Sequence, residues 1–358
     1  MSKFEERLHK LQTLSEYQHS DQGFERIRTK LDANENWHIP ELYLRDLIKS
    51  VAEEFDVREY PLGIVTELRN AIAKHLKIPP ESVVPTQGAD QGIDLLCQVF
   101  LRRNDRVVTV GPTYSFYELR AAIAEAQTVE ARMNSDLSIP VEKILTRNQN
   151  ATILFICSPN NPTGNQFATA DILRVCDAFE GLVVLDEAYV EFARENLAQE
   201  ILTHKNLAIL RTFSKAFGLA NLRLGFILAN PDWTSLFLER VQYPYPISSL
   251  VAATAIRLLE KFQLVQNAIE SVKSERSWFL KQLRSIKEVK ALDSQANFIL
   301  VNLPLDAESA HRQLLERGVA TKKIGQVLDI PNCLRVTVGT REMNLAFLEG
   351  LNEVLSNA

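Results

Sequence analysis

Cysteine and histidine are scarce in this chain, and neither is spaced for a metal. The four cysteines, Cys97, Cys157, Cys176 and Cys333, include no CxxC pair. That argues against a disulfide framework or zinc site and fits reduced, mostly buried thiols of a cytoplasmic protein. The six histidines form no HxH or HExxH pattern, so no metal centre is expected. No apolar run is long enough to span a bilayer, and the charged start, Met1-Ser2-Lys3-Phe4-Glu5-Glu6, has no apolar signal-peptide core. Net charge is −5 with no long basic tract. Neither nucleic acid nor membrane is therefore expected as a partner. Internal repeats and low-complexity segments are missing, and no GxGxxG follows an early strand, which argues against a dinucleotide-binding dehydrogenase.

What is present suits a soluble globular enzyme. The chain has 358 residues, 46% hydrophobic and 24% charged, enough for two or three domains. Apolar, β-branched runs at Arg106–Val110, Ile153–Cys157, Leu182–Leu185, Ala208–Thr212 and Leu224–Ala229 alternate with helical stretches such as Glu67–Leu76 and Gln91–Phe100. Such alternation predicts an α/β fold whose mainly parallel sheet is covered on both faces. Beyond the proline-rich turn Tyr243-Pro244-Tyr245-Pro246 the pattern changes. A long helical stretch from Ser248 to about Leu283, strands near Asn297–Val301 and Leu334–Val338, and helices near Ala307–Arg317 and Arg341–Leu355 predict a smaller α+β unit.

Ligands of open α/β sheets sit beyond the carboxyl ends of the strands, and those ends carry the reactive residues here. Lys215 follows Arg211-Thr212-Phe213-Ser214. Alone it reads as a surface lysine; between apolar segments it reads as a desolvated nucleophile and base. Thr212, Ser214 and Arg223 supply hydroxyls and a permanent cation suited to a phosphate. Asp186 ends an apolar strand, where a buried carboxylate needs a positive partner: a salt bridge, a helix cap, or a pyridinium nitrogen. Together these are what pyridoxal 5′-phosphate needs from a protein.

Other positions keep two readings. Gly88-Ala89-Asp90 opens a helix, either as a phosphate site or with Asp90 as a plain N-cap. Tyr114 can stack on a planar ring or pack, and Tyr189 can donate to a ligand or sit in the core. Asn161, in Asn160-Asn161-Pro162-Thr163-Gly164, belongs to a turn that can aim its amide inward. Arg335 can hold a substrate carboxylate or be an edge-strand surface arginine.

These blocks, with Leu31-Asp32-Ala33-Asn34-Glu35, Tyr60-Pro61 and Leu334 to Arg341, run nearly end to end. The ordered set resembles the histidinol-phosphate aminotransferase family of fold-type I pyridoxal-phosphate enzymes. The resemblance implies an arm within residues 1–45 that is also part of the small domain, a large cofactor domain over 46–245 and a small domain over 246–358. It implies that Lys215 carries the cofactor as a Schiff base, that Asp186 pairs with the pyridine nitrogen, and that Asn161 and Tyr189 contact the ring hydroxyl. Tyr114 would stack on the ring, while Ala89, Asp90, Thr212, Ser214 and Arg223 would bind its phosphate. Tyr60 would reach in from the other subunit of a homodimer, and Tyr17, Lys322 and Arg335 would face the substrate. Two positions depart from the family. Lys322 stands where an arginine usually meets the substrate phosphate, and Asn221 replaces a common glycine, a tolerable change if that position needs positive φ.

The expected activity is ping-pong transamination from histidinol phosphate to 2-oxoglutarate, giving glutamate. An aromatic amino acid aminotransferase is the alternative that Lys322 favours. An amino-acid-phosphate decarboxylase and a non-catalytic cofactor-binding module are the remaining readings.

Overall fold

The computed structural model describes residues 2–14, 27–148 and 150–357. Seven strands make the main sheet: β1 (Val83–Thr86), β2 (Arg106–Gly111), β3 (Gln127–Arg132), β4 (Ile153–Cys157), β5 (Leu182–Asp186), β6 (Leu207–Thr212) and β7 (Gly225–Ala229). They lie in the order β1-β7-β6-β5-β4-β2-β3. Strands β2 to β6 are mutually parallel, whereas β7 is antiparallel to both of its neighbours. The cause of that reversal is the connector. Between Thr212 and Gly225 lies only a short 3-10 turn, Ala220–Leu222, and the chain turns straight back beside β6 instead of crossing over a sheet face, as a parallel connection must.

Every residue of β4, β5 and β6 is buried, because helices cover both faces. Alternation along the strands feeds two cores. Leu154, Ile156, Val183 and Leu185 enter one; Ile153, Phe155, Leu182 and Val184 enter the other. Each such side chain contributes about 1.5–3 kcal/mol when fully buried, so the strand ends rest on a stiff base.

A second sheet contains β8 (Lys290–Ala291), β9 (Phe298–Asn302), β10 (Lys322–Val327) and β11 (Ile330–Thr337), all antiparallel in the order β10-β11-β9-β8. The helical stretch expected from Ser248 is divided at Lys261 into Ser249–Glu260 and Phe262–Ser285. Near the start of the chain, Thr29–Lys30 pairs in parallel with Val319–Ala320. The following residues bridge the sheets: the Asn34 amide N–H donates to Thr337 Oγ1 at 3.0 Å, and Asn297 Nδ2 donates to the Asn34 carbonyl at 2.9 Å. Among the described residues no helix is long and apolar enough to cross a membrane.

Candidate active site

The carboxyl ends of β2, β4, β5 and β6 open into a cleft of about 680 Å³, closed on its far side by residues of β10 and β11. Every candidate residue but two lines it. Tyr17 lies outside the described residues. Tyr60 is 70% exposed and stacks on Tyr245 with ring centroids 4.3 Å apart, away from its own chain's cleft.

Lys215 reaches the cleft from the turn after β6. Its Nζ donates to the Ala33 carbonyl at 2.8 Å and lies 5.7 Å from the Tyr189 ring centroid. Desolvation first, and then the Arg335 guanidinium, bring its ammonium down to about 8. A lysine so placed is a neutral base for part of the time near neutrality.

Asp186 ends β5 and is 4% exposed. Oδ2 accepts from the Tyr117 hydroxyl at 2.5 Å and Oδ1 from the Ala188 amide at 3.0 Å. Burial raises its carboxyl to about 6, against these two hydrogen bonds. Among the described residues no cation lies within ion-pair distance of it. A buried carboxylate with hydrogen bonds but no positive partner is suited to a ligand that brings the charge. Tyr117 was not singled out from the sequence. It is the second residue of the helix Phe116–Ile123, while Tyr114 lies in the turn before that helix, so no helical spacing links the two rings in the sequence.

The anion-binding end forms around the helix Gly88–Phe100. Asp90 is the third residue of this helix, not its N-cap, which is Gln87 without a side-chain hydrogen bond. The first N–H groups of any helix lack intrahelical partners and carry partial positive charge. Arg223 comes alongside, with Nη2 on Asp90 Oδ2 at 2.9 Å and Nη1 on Ser214 Oγ at 3.3 Å. Among the non-glycine residues of this loop, positive φ falls on Arg223 itself, at 51°, and not on Asn221. Thr212 Oγ1 donates to the Leu224 carbonyl at 3.2 Å and accepts from the Ser214 amide at 3.0 Å, so its hydroxyl shapes the turn that leads to Lys215. Tyr114 donates to Asp90 Oδ1 at 3.3 Å.

This cradle depends on Gly225. A Cβ there would come within 2.5 Å of the Gly88 carbonyl carbon and 2.6 Å of the Ala89 nitrogen. Because those are backbone atoms, Gly225→Ala is expected to destabilise the fold by about 1–3 kcal/mol through overpacking. Calorimetry of the variant checks this, with weaker anion binding at the displaced helix start as the second readout.

On the substrate side, Arg335 lies on β11, which is flanked by β10 and β9, and is 8% exposed; it is not an edge-strand surface residue. Nη1 donates to Asn161 Oδ1 at 2.7 Å and Nη2 to the Asp32 carbonyl at 2.6 Å, while Nε is buried without a partner. Its contacts are neutral acceptors, which leaves its charge available to a carboxylate. Lys322 sits opposite Arg335 across the β10–β11 ladder, and desolvation, then Arg335, lower its ammonium. Asn34 was quoted in a sequence block without a role. It is 1% exposed with φ of 57° and donates from Nδ2 to the Tyr189 hydroxyl at 3.0 Å.

Strand order, the reversed β7, and a cleft that holds both a lysine and a buried carboxylate belong with the fold-type I, pyridoxal-phosphate-dependent transferases that the family match identifies. The family description "Aminotransferase class I and II" matches residues 27–351. A histidinol-phosphate aminotransferase of Caldanaerobacter subterraneus subsp. tengcongensis is 32% identical over 330 residues, 91% of this chain and 93% of that one. One from Methanosarcina mazei is 36% identical over 289 residues, 80% of this chain and 77% of that one. The chain belongs to the class I and II aminotransferases and, within them, to the histidinol-phosphate aminotransferase family. Among solved structures, histidinol-phosphate aminotransferase from Sinorhizobium meliloti in complex with pyridoxal-5′-phosphate superposes with a TM-score of 0.87 at 22% identity, covering 97% of each chain.

Proposed function

We propose that this chain is a pyridoxal 5′-phosphate-dependent aminotransferase that takes its amino group from histidinol phosphate and delivers it to 2-oxoglutarate. The observation that carries the reading is Asp186, a buried carboxylate without a cation, in the same cleft as a lysine held down to about 8. The donor set fits the cofactor group by group. Ala89, Asp90, Thr212, Ser214 and Arg223 would hold its phosphate, Asn161 and Tyr189 its ring hydroxyl, and Tyr114 its ring face. Lys215 is the covalent attachment point.

When bound, the cofactor supplies an electron sink for the pair left when the substrate Cα–H bond breaks. The remaining work falls to the protein. Asp186 keeps the ring nitrogen protonated by pairing with it. Lys215, in its neutral form, would take the proton from the substrate Cα and deliver it to the cofactor's C4′ carbon. Arg335 orients the carboxylate of glutamate and 2-oxoglutarate, and Lys322 meets the phosphate of the donor as a point charge. Closure of the site by Tyr60 of a second copy makes a homodimer the working unit, and the expected compartment is the cytoplasm.

A donor panel of histidinol phosphate, phenylalanine and tyrosine, with glutamate formation as the readout, tests the substrate. The highest kcat/KM is expected for histidinol phosphate. Lys322→Ala is expected to lower that value by roughly tenfold to a hundredfold, the worth of a charged hydrogen bond, with phenylalanine little affected. Preference for unphosphorylated aromatic donors would overturn the substrate assignment. Carbon dioxide release without need of an oxo acid would overturn the reaction.

A further inference from the structure

We infer that Tyr117 is the positioning residue for Asp186, holding that carboxylate ionised and aimed into the cleft for the ring nitrogen of the cofactor. The inference rests on the proposed pyridoxal-phosphate reading and adds a residue to it.

Tyr117 is fully buried on the helix Phe116–Ile123. Its ring lies flat on Phe155, with centroids 4.6 Å apart and planes 5° from parallel, and meets Tyr114 edge-on at 5.5 Å and 90°. Two contacts at right angles leave the ring no room to swing, so the hydroxyl has a fixed position. It gives its only proton to Asp186 Oδ2 at 2.5 Å. The Ala188 amide takes Oδ1, and each oxygen keeps lone pairs for a further donor.

Packing alone does not require the hydroxyl, since phenylalanine fills the same aromatic stack. A buried hydroxyl without a partner would cost stability; here it meets the Cys157 thiol and gives its proton to the carboxylate that the cofactor needs. Tyr117 faces it from the helix, Cys157 from β4 and Ala188 from its own loop, while Asp90 and Glu187 add negative charge nearby. Of the contacts that oppose desolvation of the carboxyl, the Tyr117 hydroxyl is the largest. Without it the carboxyl protonates at higher pH, and a protonated Asp186 cannot pair with a pyridinium.

The test is Tyr117→Phe, which keeps the ring. The dissociation constant of the apoenzyme for pyridoxal 5′-phosphate is measured by fluorescence quenching across pH, in the wild type, Tyr117→Phe, Asp186→Asn and the double variant. Thermal unfolding confirms that each is folded. Tyr117→Phe is expected to weaken binding about tenfold or more near neutrality, and to move upward the pH below which affinity is lost. In the Asp186→Asn background the same change is expected to add nothing. Unchanged affinity and pH midpoint in Tyr117→Phe overturn the inference, as does an equal loss in both backgrounds, which would mean packing only. A wild-type apoenzyme that binds no pyridoxal 5′-phosphate overturns the proposed function, and the inference falls with it.

Discussion

Lys215→Ala is expected to lower kcat for transamination by about a hundredfold to ten-thousandfold, the range supplied by a positioned acid–base group, while the protein stays folded. Among the described residues the other lysines that line the cleft are placed elsewhere, Lys323 being paired with Glu308. Lys322 belongs to β10 on the far wall, and Lys30 is engaged by Asp32 at 3.0 Å and Glu35 at 2.6 Å. Lys215→Arg is expected to be nearly as inactive, because a guanidinium keeps its proton at any ordinary pH. Stability moves the other way. The folded-state value of Lys215 is lowered from 10.5 to about 8, so the unfolded chain binds more protons between those two pH values and wild-type stability rises with pH across that window. Below about 8 the buried ammonium is a cost, so at neutral pH the alanine apoprotein should melt no lower than the wild type. Single-turnover assays beside calorimetry separate the two effects. A variant with wild-type turnover would remove Lys215 from the chemistry.

The legible parts of this site were those written in contiguous residues. Asp186 ends one apolar run and Lys215 follows another by a short turn, and polar residues that close an apolar run mark a strand end. The strands missed are the two at the edges of the main sheet, β10, and the two-residue strands β8, Thr29–Lys30 and Val319–Ala320. Strand β1 contains Pro85, which an edge tolerates, and β3, Gln-Thr-Val-Glu-Ala-Arg, is largely solvent-facing. Strand β1 is buried but only four residues long and broken by its proline, and β3 lacks the apolar signal of a buried strand. The expectation of a mainly parallel sheet held, with β2 to β6 parallel; the one reversed strand, β7, follows a short connection that turns back beside β6. Tyr117 and Asn34 stayed silent for another reason. Their partners, Asp186 and Tyr189, lie 69 and 155 residues away, and hydrogen bonds of that span leave no local pattern. The reading of Arg335 as a surface residue of an edge strand failed similarly, because β10, which covers it, is polar at its start.

Arg211→Ala is expected to destabilise the fold by about 3–5 kcal/mol, the usual result of stripping one partner from a buried ion pair. The Arg211 and Glu187 side chains are 5% and 3% exposed, joined through Nε and Nη2 to Oε2 at 2.9 and 2.6 Å. Glu187 Oε1 also accepts from the Leu197 amide at 2.9 Å. Beside them Glu191 has an oxygen 3.9 Å from Arg211, and burial raises its carboxyl to about 7. The sign for Glu191 follows from a folded-state value above the unfolded 4.5. Its stability contribution is complete below about 4.5 and is lost as pH rises towards 7. Losing Arg211, which opposes that shift, should therefore make the variant's deficit larger at pH 7 than at mildly acidic pH. Denaturant titrations at the two pH values measure the difference, and a deficit independent of pH would assign the loss to packing. Replacing both partners, as in Arg211→Met with Glu187→Leu, should recover most of the stability, because no uncompensated charge remains. This pair also explains the spacing of the two tracts that carry the chemistry. Successive side chains on an extended strand point to opposite faces, so Asp186 and Thr212 face the cleft while their neighbours Glu187 and Arg211 turn the other way and pair beneath it. Each tract holds one residue for the cofactor side and one for the clamp between β5 and β6, and a shift of one residue in either would exchange the two.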